Sequence, residues 1–324
     1  MEDTARAFWL RSPGVGEIRS VPVPEPASGE VVVRTRYTGV SRGTESLVFR
    51  GGVPESQREA MRAPFQEGSL PGPVKYGYLN VGTVEHGPPE LVGRDVFSLY
   101  PHQTRFAVPA EAVVALPEGV PAERAVLAGT VETAVNALWD AGPRIGDRVA
   151  VIGAGMVGCC VARLLAAIPG ARVQLVDTDP ARAAVAERLG VAFAHPEEAA
   201  GQCDLVFHAS ATEPGLAKSL DVLGDEGQVI ELSWYGDREV SIPLGASFHS
   251  RRLAIRASQV GVVSPARSRR RSLSDRLALS LRLLTDPAFD GLITGESPFE
   301  QLPDVMPRLA DGRIPALCHR IAYG

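Results

Sequence analysis

The sequence predicts an α/β fold: a doubly wound parallel sheet joined to a second, β-rich domain. Three observations predict it. Val149–Ile152 is apolar throughout and β-branched except for Ala150, as a strand covered on both faces needs. It runs into Gly153, Gly155 and Gly158, spaced G-x-G-x-x-G, and then into a mostly apolar stretch from Met156 to Ala167. From Pro121 to Ala257 strand-like and helix-like segments alternate, the rhythm of parallel strands with right-handed crossovers. Residues 1–117 instead hold many short strand patterns set apart by Pro and Gly.

In chain order, Ala5–Leu10, Gly16–Val21 and Glu30–Tyr37 read as strands, with Pro22, Pro24 and Pro26 punctuating the gap before the third. Residues 44–62 read as a helical or mobile insert, followed by a Pro/Gly-rich loop over 64–73. Asn80–Glu85, Arg94–Leu99, Thr104–Val108 and Ala112–Ala115 continue the strand series, which suggests a barrel-like β domain. Ala122–Ala141 is one long helical pattern stopped by Gly142 and Pro143. Pro169 and Gly170 end the helix after the glycines, and Arg172–Val176 is a strand closing on Asp177. Thr178–Gly190 is a helix with Pro180 in its first turn and Gly190 at its C-cap. Asp204–Ala209, Gln228–Leu232 and Leu253–Ala257 are strands, and Pro214–Leu223 a helix. Ser272–Thr285 is amphipathic, and residues 316–323 form a strand that returns to the first domain. The β-rich domain is therefore assigned to 1–120 and 262–324, the parallel-sheet domain to 121–261.

Composition narrows the function classes. The 324 residues give room for two domains, and 45% apolar with 22% charged residues is globular usage. A formal charge of −5 argues against a nucleic-acid partner. The cluster Arg267, Arg269, Arg270 and Arg271 reads as a solvated loop. The first residues are acidic with no apolar core behind them, and no run of about 18 apolar residues exists, so neither a signal peptide nor a membrane span is expected. Cys159, Cys160, Cys203 and Cys318 show no C-x-x-C spacing and read as buried reduced thiols of a cytoplasmic protein.

The glycine spacing points to a dinucleotide. Gly153 permits the tight turn, Gly155 lets backbone approach a pyrophosphate, and Gly158 lets helix pack on strand. Met156 and Val157 open the helix whose free N–H groups and dipole receive the phosphates. Asp177, about 20 residues on, accepts from the adenosine ribose hydroxyls and repels a 2′-phosphate, which favours NAD over NADP. Asp179 adds negative charge, and Arg182 is assigned to a solvated helix face.

This order resembles the medium-chain dehydrogenase/reductase superfamily, alcohol dehydrogenase-like, over essentially the whole chain. The stretches that carry it are YTGVSRGTE (37–45), GRDVF (93–97), PRIGDRVAVIGAGMVG (143–158), VQLVDTDPARAAVAERLG (173–190), GQVIELSWYG (227–236) and FHSRRLAIRASQVG (248–261). SRGTE and the run from Leu127 to Gly158 look most like the bacteriochlorophyllide a dehydrogenase branch, whose members oxidise a secondary alcohol side chain. The resemblance implies a Rossmann domain, a GroES-like catalytic domain and a homodimer. It places the nicotinamide near Thr130, Glu132 and Thr133, with Ser210 and Leu232 also in the cofactor set.

Zinc members of the superfamily hold their metal with Cys, His and Cys, and zinc needs three such ligands and an open position. Here the first cysteine is replaced by Ser41 or Arg42, the histidine by Tyr78, and the third ligand falls near Ala128 and Gly129. The four-cysteine structural loop that would follow Val96 is missing too. No zinc is expected; a mixed site would have to draw on Glu45, His86 or His102. His86 reads as a turn residue, and His102 lies in a Pro-flanked loop able to line the cleft.

Without metal, other groups must stabilise the alkoxide and move its proton. Thr44 matches the family position that begins a proton relay, and Tyr78 can donate to the substrate oxygen. Arg42 or Lys75 can stabilise negative charge, with Glu45 as a loop brace and Tyr76 a weaker candidate. The leading reading is an NAD(H)-dependent oxidoreductase that interconverts a secondary alcohol and a ketone on a small-molecule substrate. The alternatives are an NADPH-dependent enoyl or quinone reductase, which Asp177 opposes, a non-catalytic dinucleotide-binding protein, and a metal-dependent polyol dehydrogenase with altered ligands.

Overall fold

A computed structural model describes residues 4–23 and 25–324; Pro24 of the proline cluster and the acidic residues Glu2 and Asp3 lie outside the described residues. The chain divides into two compact units. One comprises Met1–Gly129, Leu281–Thr285 and Ile293–Gly324, the other Thr130–Ser280 and Asp286–Leu292. The chain thus passes between units at 129/130, nine residues beyond the seam read from composition and pattern at 120/121.

The second unit is built on six parallel strands. Across the sheet they run Ala192–Ala194, Arg172–Val176, Arg148–Ile152, Cys203–His208, Leu223–Glu231 and Ala254–Ala257. The strand order reverses between Arg148–Ile152 and Cys203–His208, which is the doubly wound topology, and ligands bind at the carboxyl ends of strands at such a reversal. Val149, Ala150, Val151 and Ile152 are all buried, as a strand with helices on both faces requires. The helix Ala183–Leu189 ends where Gly190 turns left-handed at φ +70°, a conformation that costs glycine nothing. The edge strand Ala192–Ala194 carries no sequence signal because three residues are too few to show a period.

In the first unit a seven-stranded sheet centres on the long strand Glu30–Ser41. The closing strand Cys318–Ala322 pairs antiparallel with it, Cys318 opposite Ser41, so the chain end does return to the first domain. A four-stranded sheet holds Thr4–Ser12, Val15–Pro22, Val74–Lys75 and Glu67–Gly68. The helix Arg42–Phe49 begins where Glu30–Ser41 ends and forms the helical part of the 44–62 insert, followed by a short 3₁₀ turn at Glu55–Gln57. The single helix read over 122–141 is two, Ala122–Ala125 and Ala128–Ala141. Val126 and Leu127 between them are fully buried, so the apolar period runs unbroken through a break in the backbone. All four cysteines are buried outside any disulfide. Among the described residues no helix is long and apolar enough to cross a membrane.

Candidate active site

In the second unit the three glycines do different work. Gly153 has φ +106°, and a Cβ there would lie 2.7 Å from the Ser210 backbone nitrogen. A Cβ on Gly158 would lie 2.0 Å from the Gly153 carbonyl oxygen. The protein itself therefore excludes side chains at both. Gly155 is exposed, has an ordinary negative φ of −76° as the N-cap of Met156–Ala166, and a Cβ there would meet no protein atom within 4 Å. Nothing in the fold demands glycine at 155; a close-approaching pyrophosphate does, and the turn fits that group. Met156 is buried and Val157 half-buried behind it.

Asp177 faces this turn. Its Oδ2 accepts from the Ala154 N–H at 2.7 Å and its Oδ1 from the Asp179 N–H at 2.9 Å. Each carboxylate oxygen has two lone pairs, so both can still accept a ribose hydroxyl. Arg182 is not on a solvated face: its side chain is 16% exposed and its Nε lies 3.2 Å from Asp179 Oδ2. Glu132 is buried and pairs with Arg276 at 3.1 Å within its own unit. Thr130 is buried, Thr133 and Leu232 are half-buried, and the Leu232 N–H donates to the His208 carbonyl at 2.9 Å.

In the first unit the end of Glu30–Ser41 and the first turn of Arg42–Phe49 gather the predicted catalytic residues. The Ser41 and Thr44 side chains lie close enough to the Tyr78 hydroxyl to act on its ionisation, so the three hydroxyl-bearing residues are neighbours. Burial, then the charge of Glu45, pushes the Tyr78 phenol up to about 12, which keeps it a proton donor. The ring packs edge-on against buried Tyr76 at 6.0 Å. Glu45 is buried, accepts the Ser41 N–H at 2.8 Å, and pairs with His102 Nε2 at 2.9 Å. Nε2 donates to the Glu45 carboxylate, and Nδ1 lies 2.6 Å from the Thr38 hydroxyl. The Tyr323 hydroxyl follows at 3.2 Å from Thr38. Gly77, at φ +126°, makes room, since a Cβ there would lie 2.8 Å from the His102 ring.

Arg42 is exposed at the helix start and donates to the Ala316 carbonyl at 3.3 Å. Lys75 is buried, with its ammonium on Gln103 Oε1 at 2.6 Å and on Glu67. His86 ends its strand exposed, as a turn residue. Ser41, Tyr78, Ala128 and Gly129 do not make a zinc donor set, and both nitrogens of His102 are engaged. Among the described residues no three His, Cys, Asp or Glu side chains come together as metal ligands.

Sequence reasoning missed the partners of His102 and a second buried pair, His208 with Glu231. The signals were present: His208 and Glu231 end their strands as polar residues, each directly flanked by apolar ones.

No family model matches the chain. It is 28% identical over 297 residues to 2-desacetyl-2-hydroxyethyl bacteriochlorophyllide A dehydrogenase of Rhodobacter capsulatus, covering 85% of this chain and 84% of that one. It is 26% identical over 241 residues to D-guloside 3-dehydrogenase of Shigella flexneri, covering 68% and 65%. L-idonate 5-dehydrogenase of Escherichia coli shares the fold at a TM-score of 0.81 over 99% of each chain, with 15% identity. In its parallel sheet, glycine turn and antiparallel β unit, the chain is similar to oxidoreductases of the alcohol dehydrogenase-like, medium-chain dehydrogenase/reductase type.

Proposed function

We propose that the protein is an NAD(H)-dependent oxidoreductase that interconverts a secondary alcohol and a ketone without catalytic zinc. The observation that carries this reading is that the Ser41 and Thr44 side chains neighbour the Tyr78 hydroxyl beside the buried Glu45–His102 pair. When bound, the nicotinamide supplies the hydride acceptor. Tyr78 donates a hydrogen bond to the oxygen as negative charge develops, the part a metal plays elsewhere. As the alcohol's carbon-bound hydrogen leaves as hydride, half-buried Thr44 takes the hydroxyl proton and releases its own to water. Glu45 acts through position, holding the Ser41 N–H and hence the turn that presents the hydroxyls. Arg42, exposed beside them, attracts an anionic part of the substrate.

Asp177 supports NAD, and the pairing of Arg182 with Asp179 commits the nearby cation that a 2′-phosphate would need. The two curated relatives are named for a hydroxyethyl bacteriochlorophyllide and for position 3 of a D-guloside, which support a secondary hydroxyl on a sizeable substrate. The test is nicotinamide absorbance with NAD⁺ or NADP⁺ and a panel of hydroxyethyl-bearing and glycosidic alcohols, before and after dialysis against a chelator. Turnover with NAD⁺ that survives chelation is expected. Turnover that needs NADP⁺, or that is lost with the metal, would sink the reading.

Gly155 gives a sharper local test. Gly155→Ala is expected to leave the unfolding midpoint unchanged, because the new Cβ meets nothing and φ is ordinary. NADH binding should weaken at least about tenfold as the methyl meets the pyrophosphate. An equal affinity would remove the phosphate from this turn.

A further inference from the structure

At the carboxyl end of the parallel sheet lies a polar chain that the proposed reaction does not use. His208 and Glu231 are register partners on adjacent strands. His208 is fully buried, with Nδ1 2.8 and 3.0 Å from the two Glu231 oxygens and Nε2 2.7 Å from Ser210 Oγ. Glu231 also accepts from the Ser233 N–H at 2.7 Å and the Tyr235 hydroxyl at 3.2 Å. Burial by itself would raise its carboxyl, but the hydrogen bond and charge of His208, then Ser233, hold it below the ordinary value. It is therefore a carboxylate and only accepts. In the tautomer that donates Nδ1–H to this carboxylate, Nε2 accepts the Ser210 hydroxyl proton. Gly215 keeps this arrangement open, since a Cβ there would sit 2.2 Å from Ser210 Oγ.

Carboxylate, imidazole and serine in that order also describe an activated nucleophile. Acyl transfer further needs amides free to hold an oxyanion. Here the Ala211 N–H donates to Ser233 Oγ at 3.0 Å, and the Gly215 N–H to Thr212 Oγ1 at 3.1 Å. What the arrangement leaves is a half-buried oxygen whose proton is engaged and whose lone pairs can accept, one of them facing Thr212 Oγ1 at 2.9 Å.

Its place in the sheet says what it accepts. Asp177 follows the strand on one side of Arg148–Ile152, and Ser210 follows the strand on the other. A dinucleotide with its adenosine ribose on Asp177 and its pyrophosphate on Gly155 carries its second ribose toward Ser210. We propose that Glu231 and His208 are positioning residues that lock Ser210 as a hydrogen-bond acceptor for the nicotinamide-side ribose. The assignment rests on the dinucleotide reading.

Calorimetric titration with NADH and with ADP, which ends at the diphosphate and lacks the second ribose, tests it. Ser210→Ala is expected to weaken NADH roughly tenfold and leave ADP unchanged. Ser210→Thr, which keeps the hydroxyl, should retain most of the affinity, and Ser210→Ala with Glu231→Gln should bind NADH no more weakly than Ser210→Ala alone. Equal losses for NADH and ADP, or no loss for either, would overturn the assignment while the dinucleotide reading stands. Covalent labelling of Ser210 by a fluorophosphonate would overturn it in favour of a nucleophile. A wild-type protein that binds neither ligand would remove both readings.

Discussion

Tyr78→Phe should lower kcat by roughly 10²-fold or more with little change in KM, the loss seen when one preorganised donor to a developing oxyanion is removed. The phenylalanine ring keeps the edge-on packing against Tyr76, so the fold is retained and the loss reports the hydroxyl alone. Because burial and Glu45 push this phenol up to about 12, it remains protonated across the usual assay range. The pH–rate profile of the wild type should accordingly show no ionisation of this group below about pH 10. Steady-state kinetics of the two proteins across that range decides it. A kcat within threefold of wild type would take Tyr78 out of the mechanism, whatever Thr44 does.

Arg276→Ala should destabilise the second unit by about 3–5 kcal/mol. Arg276 is fully buried and serves Glu132 at 3.1 Å, Asn136 Oδ1 at 2.6 Å, and the carbonyls of Val260 and Val262. Its removal strands the buried Glu132 carboxylate, while Asn136 Oδ1 keeps the Ser264 N–H at 3.0 Å. Burial already raises the Glu132 carboxyl, with Arg276 opposing; without the arginine it rises further. A carboxyl raised in the folded state binds more protons there than when unfolded, so stability falls as pH rises from the unfolded value through the folded one. The variant's deficit should therefore be larger at about pH 7.5 than at about pH 5. Urea unfolding at the two values measures it, and a deficit that grows in acid would contradict the account. Replacing Arg276 and Glu132 together by apolar residues should recover much of the loss.

The glycine turn was legible because its requirements are local. Gly153 needs a positive φ and Gly158 a close helix–strand approach, and both are written in the spacing of consecutive residues. The strands of both units were legible for the same reason, since a period of two or a β-branched run shows within one segment. Short or interrupted elements were not. Ala192–Ala194 is too brief to show a period, and the break after Ala125 leaves the apolar pattern intact.

The polar partnerships were illegible in a different way. Arg182 looked like a surface cation until Asp179 was found beside its 16% exposed side chain. Lys75 looked available for a substrate until its burial against Gln103 and Glu67 was seen. Glu132 matched a cofactor-facing position, yet its partner Arg276 lies 144 residues away on another helix.

By itself the sequence determined the two-part α/β organisation and the glycine turn with the acid Asp177 at the end of the next strand. Each is a matter of residue type at short spacing. Tertiary structure alone decided which buried polar groups meet: Glu45 with His102 across 57 residues, and Glu231 with His208 across 23. A buried donor must find an acceptor or lose its solvation, but any of many chain positions can supply one, and only folding chooses among them.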